Sequence, residues 1–229
     1  MSITMQVSTN SETVRFYVNH ETEASPYANR RGIVDLKKRV FDVVVASLVT
    51  VSILIWLLPL LGLLIRATSP GPILFVQLRT GRNGRPFRCL KFRTMTYERN
   101  AQFLQAKRND LRVTRIGRFL RKTNLDEMPQ FLNVLAGHMS VVGPRPHPIP
   151  LDAKHWHTLP GYKERYSVKP GITGLAQSRG ARGETEELYK MVHRVRYDHF
   201  YIRRQSSRLD AKICWWTVKA AVKGNKNAW

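Results

Sequence analysis

The sequence predicts an α+β chain that is mainly helical: an N-terminal re-entrant membrane helix hairpin, a small β-hairpin, and amphipathic interfacial helices around a cytoplasmic core. Three observations predict it. Residues 43–65 form an unbroken run of 23 uncharged, mostly apolar residues. Asn83-Gly84, a tight-turn pair, stands between two apolar-rich runs. Beyond residue 110, apolar residues recur at helical spacing among basic ones.

The charge balance narrows the partner. The 229 residues hold 38 Lys+Arg against 16 Asp+Glu, a net charge of +22. Such a chain meets an anion: nucleic acid, an anionic membrane surface or a phosphorylated substrate. Composition alone does not choose among these. The two cysteines, Cys89 and Cys214, are far apart, so a reducing compartment is expected and a structural disulfide is not. Residues 1–30 are polar and lack the apolar stretch of a cleaved signal, and are expected as a disordered tail.

The apolar run is long enough to span a bilayer, which takes about 20 helical residues. A buried core helix is the alternative; the lack of a polar stripe argues against it. Leu58-Pro59 lies inside the run, and proline removes a backbone donor and crowds the preceding turn, so the helix is expected to break there. Arg30, Arg31, Lys37, Lys38 and Arg39 precede the run; Arg66, Arg79, Arg82, Arg85, Arg88, Lys91 and Arg93 follow it. Basic flanks stay cytoplasmic. A bent helix over 36–68, entering and leaving one face, satisfies both flanks, whereas a single span violates the rule at one end.

Residues 69–222 are expected as one cytoplasmic domain, with 223–229 as a short C-terminal tail. The stretch 73–95 reads as a β-hairpin whose second strand projects Lys91 and Arg93 from one face, either as anion binders or as a solvated edge. Arg112, Arg115, Arg118 and Arg121 recur every third residue, predicting a basic helical stripe. Thr123 and Asn124 are helix-capping types, so Asp126 and Glu127 are expected in the first turn of the next helix, where free N–H groups favour carboxylates and phosphates. Simple capping is the plainer reading. Arg145 sits between Pro144 and Pro146, a stiff mount suited to bidentate phosphate recognition. Residues 168–185 carry Gly171, Gly174, Gly180 and Gly183, where backbone can approach a ligand closely. His147, His155 and His157 with Asp152 match no standard zinc spacing. Two helices are expected at the end. The second opens at a Ser207/Asp210 capping box and carries Trp215 and Trp216 among lysines, either packed on the domain or lying on a membrane.

Taken in order, "KRVFD" (38–42), "LKFRTM" (90–95), "TRIGRFLRKTNLDEMPQFLNVLAGHMSVVGPRP" (114–146) and "VKPGITGLAQ" (168–177) resemble the bacterial sugar transferases, the monotopic phosphoglycosyl transferases, over about residues 36–222. The resemblance implies an enzyme of the bacterial inner membrane, its catalytic domain on the cytoplasmic face. It implies transfer of a sugar 1-phosphate from a nucleotide diphosphate sugar to undecaprenyl phosphate, releasing a nucleoside monophosphate. Asp126 matches the family's nucleophile and Glu127 its Mg²⁺-associated partner. Lys91, Arg93, Arg121 and Arg145 match phosphate-holding positions. Gly171, Gly174, Gln177, Arg182 and Glu184 fall in a loop expected to meet the nucleotide sugar. "RGET" (182–185) and "RVRYDHFYI" (194–202) resemble the exopolysaccharide-initiating branch, which implies UDP-glucose first and UDP-galactose second. Two departures stand out: Leu58 where the family often has Ser before the proline, and His138 where it often has an acidic residue. The other functional class is a membrane-anchored basic binding or scaffold protein without catalysis. Nucleic acid is not expected as a partner, because a site built to hold phosphate gains nothing from two adjacent carboxylates. The sequence leaves oligomeric state open.

Overall fold

A computed structural model of the chain describes residues 4–9, 12–17, 31–98, 104–106, 109–181, 183 and 188–222. Helix dominates, with small two-stranded sheets. Within the expected polar tail, β1 (Thr4–Thr9) pairs antiparallel with β2 (Glu12–Tyr17). The register sets Met5 opposite Phe16 and Val7 opposite Val14, every second residue of each strand.

The apolar run is one long helical element. α1 (Arg31–Val49) passes through a π-helical turn at Thr50–Leu54 into α2 (Ile55–Thr68). Residues Leu36–Thr68 are long and apolar enough to cross a membrane, with a mean hydropathy of 2.7 and 22% burial in the most apolar stretch. The irregular turn therefore sits upstream of Leu58-Pro59, and Pro59 lies inside α2. A proline crowds the carbonyl four residues back, here Ile55 at the start of α2, so the widened turn falls directly before the crowded one. Leu36, Val40, Val44, Leu48 and Val51 are exposed in a row along one side, while Ala46, Leu54, Leu61 and Ile65 are buried against the rest of the molecule.

Both halves of this element are tied to the same domain. Near the start, Arg39 donates to the carbonyls of Val134 (2.6 Å) and Leu135 (2.9 Å). Asp42 accepts from Lys38 Nζ (3.1 Å), Ser140 Oγ (2.9 Å) and the Val141 amide (3.0 Å). Lys38 also bridges to Asp210 Oδ2 at 2.8 Å, and Tyr201 donates to Asp210 Oδ1 at 2.8 Å. Asp210 is thus a buried partner of the first helix. The expected Ser207 box shifts by one residue, since it is Ser206 Oγ that accepts from the Leu209 amide. Near the far end, Leu61 and Ile65 pack with Phe92 and Leu120 in a second apolar cluster.

β3 (Leu74–Thr80) and β4 (Pro86–Phe92) form the expected antiparallel hairpin. Its connection is longer than a two-residue turn. Thr80 pairs with Pro86, and a short 3₁₀ turn at Arg82–Gly84 holds Asn83 and Gly84 at positive φ (57° and 73°).

α3 (Arg115–Thr123) starts at Thr114, whose hydroxyl accepts from the Gly117 amide at 2.9 Å. Arg112 therefore lies outside the helix and pairs with Asp110 at 2.6 Å. Asn124 ends α3 in the left-handed conformation (φ 58°), so Asp126 and Glu127 occupy a separate 3₁₀ turn at Leu125–Glu127. The expectation that they open the following helix is corrected: α4 (Gln130–Leu135) begins after Pro129. It ends where Gly137 takes φ 81°, as expected for a glycine stop.

β5 (Ser140–Val142) pairs in parallel with β6 (Gly171–Thr173). Between them lie α5 (Ile149–His155) and a 3₁₀ segment at Tyr162–Ser167. α6 (Leu175–Ser178), α7 (Leu188–Arg204) and α8 (Ser207–Val222) complete the domain. The main apolar core joins Ala46 of α1, Phe87 and Cys89 of β4, Val134 of α4, Val141 and Val142 of β5, Tyr201 of α7 and Ile213 of α8.

Gly117 sets the approach of α3 to the strand end, because a methyl group there would collide with the Thr94 carbonyl. Ala is favoured over Gly by about 1 kcal/mol in a helix interior, but overpacking against rigid backbone costs about 1–3 kcal/mol. Gly117→Ala is therefore expected to lower the thermal midpoint. A midpoint raised by the substitution would contradict this packing.

Candidate active site

Four elements bring the charged residues together. β4 supplies Lys91, the residues after it supply Thr94, α3 supplies Arg121, and the 3₁₀ turn supplies Asp126 and Glu127. The loop after β5 supplies Arg145. Lys91 Nζ lies 2.6 Å from Glu127 Oε1 and 3.8 Å from Asp126 Oδ2. Arg145 engages Glu127 in a bidentate fork, Nη1 to Oε2 at 3.0 Å and Nη2 to Oε1 at 2.5 Å. Arg121 Nε donates to Thr94 Oγ1 at 2.9 Å.

The adjacent carboxylates are electrostatically unlike. Burial alone would raise Glu127, but Arg145 and Lys91, by charge and by hydrogen bonds, outweigh it and hold the carboxyl well below its usual range. Asp126 is 8% exposed. Burial lifts its carboxyl above the ordinary value and the Glu127 charge adds to that, against Lys91, Arg121 and Arg145. Glu127 is thus the locked anion, and Asp126 the more basic carboxylate with weaker cation contacts.

Arg93 does not join them. It is buried, and its Nη2 donates to the Ser69 carbonyl at 2.7 Å and its Nη1 to the Pro70 carbonyl. It fastens the end of α2 to the hairpin. Gly171 and Gly174 serve packing. A Cβ on either would collide with the Gly143 backbone, so they let β6 lie against the chain entering the Arg145 loop. The Gly143 amide donates to the Thr173 carbonyl at 2.9 Å, and the Gly171 amide to the Pro144 carbonyl at 2.9 Å. Gln177 is buried and donates to the Ile172 carbonyl at 3.1 Å. Arg182 and Glu184 lie outside the described residues. His138 is exposed and stacks on Phe87.

Behind Arg145 lies a buried polar layer that the sequence did not reveal. Arg79 Nη1 donates to the Pro146 carbonyl at 2.8 Å. Asp152 Oδ1 accepts from the hydroxyls of Tyr162 (2.7 Å) and Tyr166. His147 Nδ1 faces Tyr162 OH and Arg165 Nη1, each at 2.7 Å. These side chains come from positions 79 and 147–166, and no local pattern links them.

The donor set fits a hard cation. Mg²⁺ binds through one or two carboxylates plus substrate phosphates, and Asp126 and Glu127 supply such a pair. Both Glu127 oxygens already accept from Lys91 or Arg145, so a cation would share Glu127 with them. Among the described residues, no group of three or more His, Cys, Asp or Glu gathers into a metal cage.

A family model described as bacterial sugar transferase matches residues 33–224. The chain is 49% identical over 188 residues to a Klebsiella pneumoniae protein named UDP-glucose:undecaprenyl-phosphate glucose-1-phosphate transferase; the match covers 82% of this chain and 40% of that one. It is 50% identical over 189 residues to a Caulobacter vibrioides protein of the same name, covering 82% and 70%. It is 44% identical over 186 residues to the exopolysaccharide production protein PSS of Rhizobium leguminosarum bv. phaseoli, covering 79% and 92%. The chain thus spans well under half the length of the Klebsiella relative.

The buried layer makes stability pH-dependent through His147. Burial, with Arg165, Arg194, Arg79 and Arg145 around it, pushes the imidazole well below 6.5. The folded chain keeps it neutral, while the unfolded chain takes up a proton as pH falls through about 6.5. The contribution is therefore whole above that pH and is lost below it, approaching about 1.4 kcal/mol per pH unit. The fall in melting midpoint from pH 7.5 to 5.5 is expected to be shallower in His147→Asn than in the wild type. Parallel slopes would sink the assignment.

Proposed function

The chain belongs to the bacterial sugar transferase family, and from that premise we propose that it transfers hexose 1-phosphate from a UDP-sugar to undecaprenyl phosphate and releases UMP. UDP-glucose is the first donor and UDP-galactose the second, and the product opens exopolysaccharide or capsule synthesis. The names of the relatives support glucose. The observation that carries the chemistry is the inequality of the two carboxylates. Asp126 is buried and comparatively basic, while its neighbour is held ionised by a lysine and an arginine.

In this reading an Asp126 Oδ attacks the sugar-linked phosphorus. An aspartyl O–P bond forms, the P–O bond to UMP breaks, and UMP leaves with the electron pair. A phosphate oxygen of undecaprenyl phosphate then attacks the same phosphorus, and Asp126 departs as carboxylate. Two transfers between unlike substrates are each easier than one termolecular step. Lys91, Arg121 and Arg145 offset the repulsion between an anionic nucleophile and a diphosphate, and oppose charge spreading over the phosphoryl oxygens. Glu127 would hold Mg²⁺, which would supply further charge neutralisation at the phosphates. Glu127 aligns Lys91 and Arg145 toward a common point.

The substrates meet at a membrane surface. Both flanks of residues 36–68 are basic, and both halves of the helical element contact one domain. These features support a re-entrant helix, with the exposed Leu36–Val51 row in lipid and the domain on the cytoplasmic face of the inner membrane. Phe119 is exposed beside Arg115 and Arg118 on α3, and Trp215 and Val218 are exposed on α8, all suited to an anionic lipid surface.

Asp126→Asn is expected to abolish UMP release across a panel of UDP-sugars while the protein stays in the membrane fraction. Turnover retained by that variant would remove the nucleophile. With UDP-sugar labelled at the β-phosphate and no lipid acceptor, the wild type is expected to become radiolabelled. An active but unlabelled enzyme would indicate direct transfer in a ternary complex. For topology, cysteines placed at Asn10 and Pro150 are both expected to resist a membrane-impermeant reagent from outside; labelling at residue 10 alone would establish a single span.

A further inference from the structure

The segment that carries Arg145 is gripped from behind by two buried guanidiniums. Arg79 holds the Pro146 carbonyl, and Arg165 Nη2 donates to the Arg145 carbonyl at 3.0 Å. Arg165 is 1% exposed. Its Nε and Nη2 donate to Asp198 Oδ2 of α7 at 3.0 and 2.9 Å, and its Nη1 reaches His147 Nδ1 at 2.7 Å and Tyr162 OH at 3.3 Å. A guanidinium has five N–H donors in a rigid plane, and these contacts engage all five. Nothing remains for a substrate. The group is spent on orienting its neighbours.

What it orients is a specific torsion. Pro146 confines Arg145 to extended backbone but leaves ψ a window of about 40°. The direction of the Arg145 carbonyl reports that ψ, and Arg165 holds the carbonyl. A swing across the window is enough to carry the guanidinium, at the end of a long side chain, off the Glu127 fork. Asp198 in turn fixes the plane of Arg165. We propose that Arg165, clamped by Asp198, is a positioning residue that sets the aim of Arg145 at Glu127 and the substrate phosphates. This rests on the reading above that Arg145 meets those phosphates. It also links α7 to the site, because α7 carries Asp198.

The test is a cycle of Arg145→Lys, Arg165→Lys and the double variant, assayed for UMP release from UDP-glucose with undecaprenyl phosphate. Lys keeps the charge at 165 but cannot form the planar fork. Arg165→Lys is expected to lower kcat/KM about 10- to 100-fold, the scale of a misplacement near 1 Å. Its division between kcat and KM should match that of Arg145→Lys, and the double variant should lie within about threefold of the worse single. Losses that multiply, or near-wild-type activity of Arg165→Lys beside an impaired Arg145→Lys, overturn the inference. A harmless Arg145→Lys overturns it too, and places the fault in the phosphate role of Arg145. Should Arg165→Lys melt below the assay temperature, Asp198→Asn carries the same cycle, since it keeps the accepting oxygen and removes its charge.

Discussion

Glu127 is the point on which the site depends. Its carboxylate accepts from Lys91 on β4 and from Arg145 on the loop after β5, and so ties three separate parts of the chain. A buried carboxylate without those cations would protonate; the cations without it would repel each other and turn toward solvent. The fork and the lysine bond thus organise the charge, and Asp126 is left beside them, buried but less tightly paired. The different protonation behaviour of two adjacent acids follows from this one arrangement.

Everything behind the fork keeps it in place. Asn133 fastens α4 to β4, its Oδ1 accepting from the Leu90 amide at 2.9 Å and its Nδ2 donating to the Arg88 carbonyl at 2.8 Å. That fixes the strand just before Lys91. On the other side, the β5–β6 pair holds the chain entering Pro144, and the arginine-rich layer of Arg79, His147 and Arg165 holds the chain leaving it. In a low-dielectric interior the hydrogen bonds of such a layer favour one arrangement of the chain around it. The long apolar helix joins the same frame through Asp42 and Arg39 at one end and Leu61 and Ile65 at the other.

The coarse architecture was legible because it rests on local signals. Twenty-three uncharged residues, an Asn-Gly pair and helical periodicity are short-range patterns, and each produced its element. Boundaries were less legible. Asp126 and Glu127 were expected in a helix start, but Asn124 takes the left-handed conformation and Pro129 defers the next helix, leaving a separate turn. The break expected at Leu58-Pro59 is not there: α2 continues through Pro59, and the irregular turn lies upstream at Thr50–Leu54, ahead of the carbonyl of Ile55 that the proline crowds. Gly171 and Gly174 looked like ligand-approach glycines, yet their lack of a side chain serves backbone contact with Gly143.

By itself, the sequence determined a basic chain with one long apolar segment, a β-hairpin, a carboxylate pair among arginines and the motif order of its family. Those properties depend on residue type and near-neighbour spacing. Only the tertiary structure decided which cations meet the pair: Lys91 and Arg145 engage it, Arg121 stands beside it on Thr94, and Arg93 is spent on the Ser69 and Pro70 carbonyls. It also decided that Arg165 and Asp198 stand behind Arg145. Residues 20 and 53 positions away share no local pattern with it, and the low-dielectric interior that makes their hydrogen bonds decisive exists only once the chain has packed.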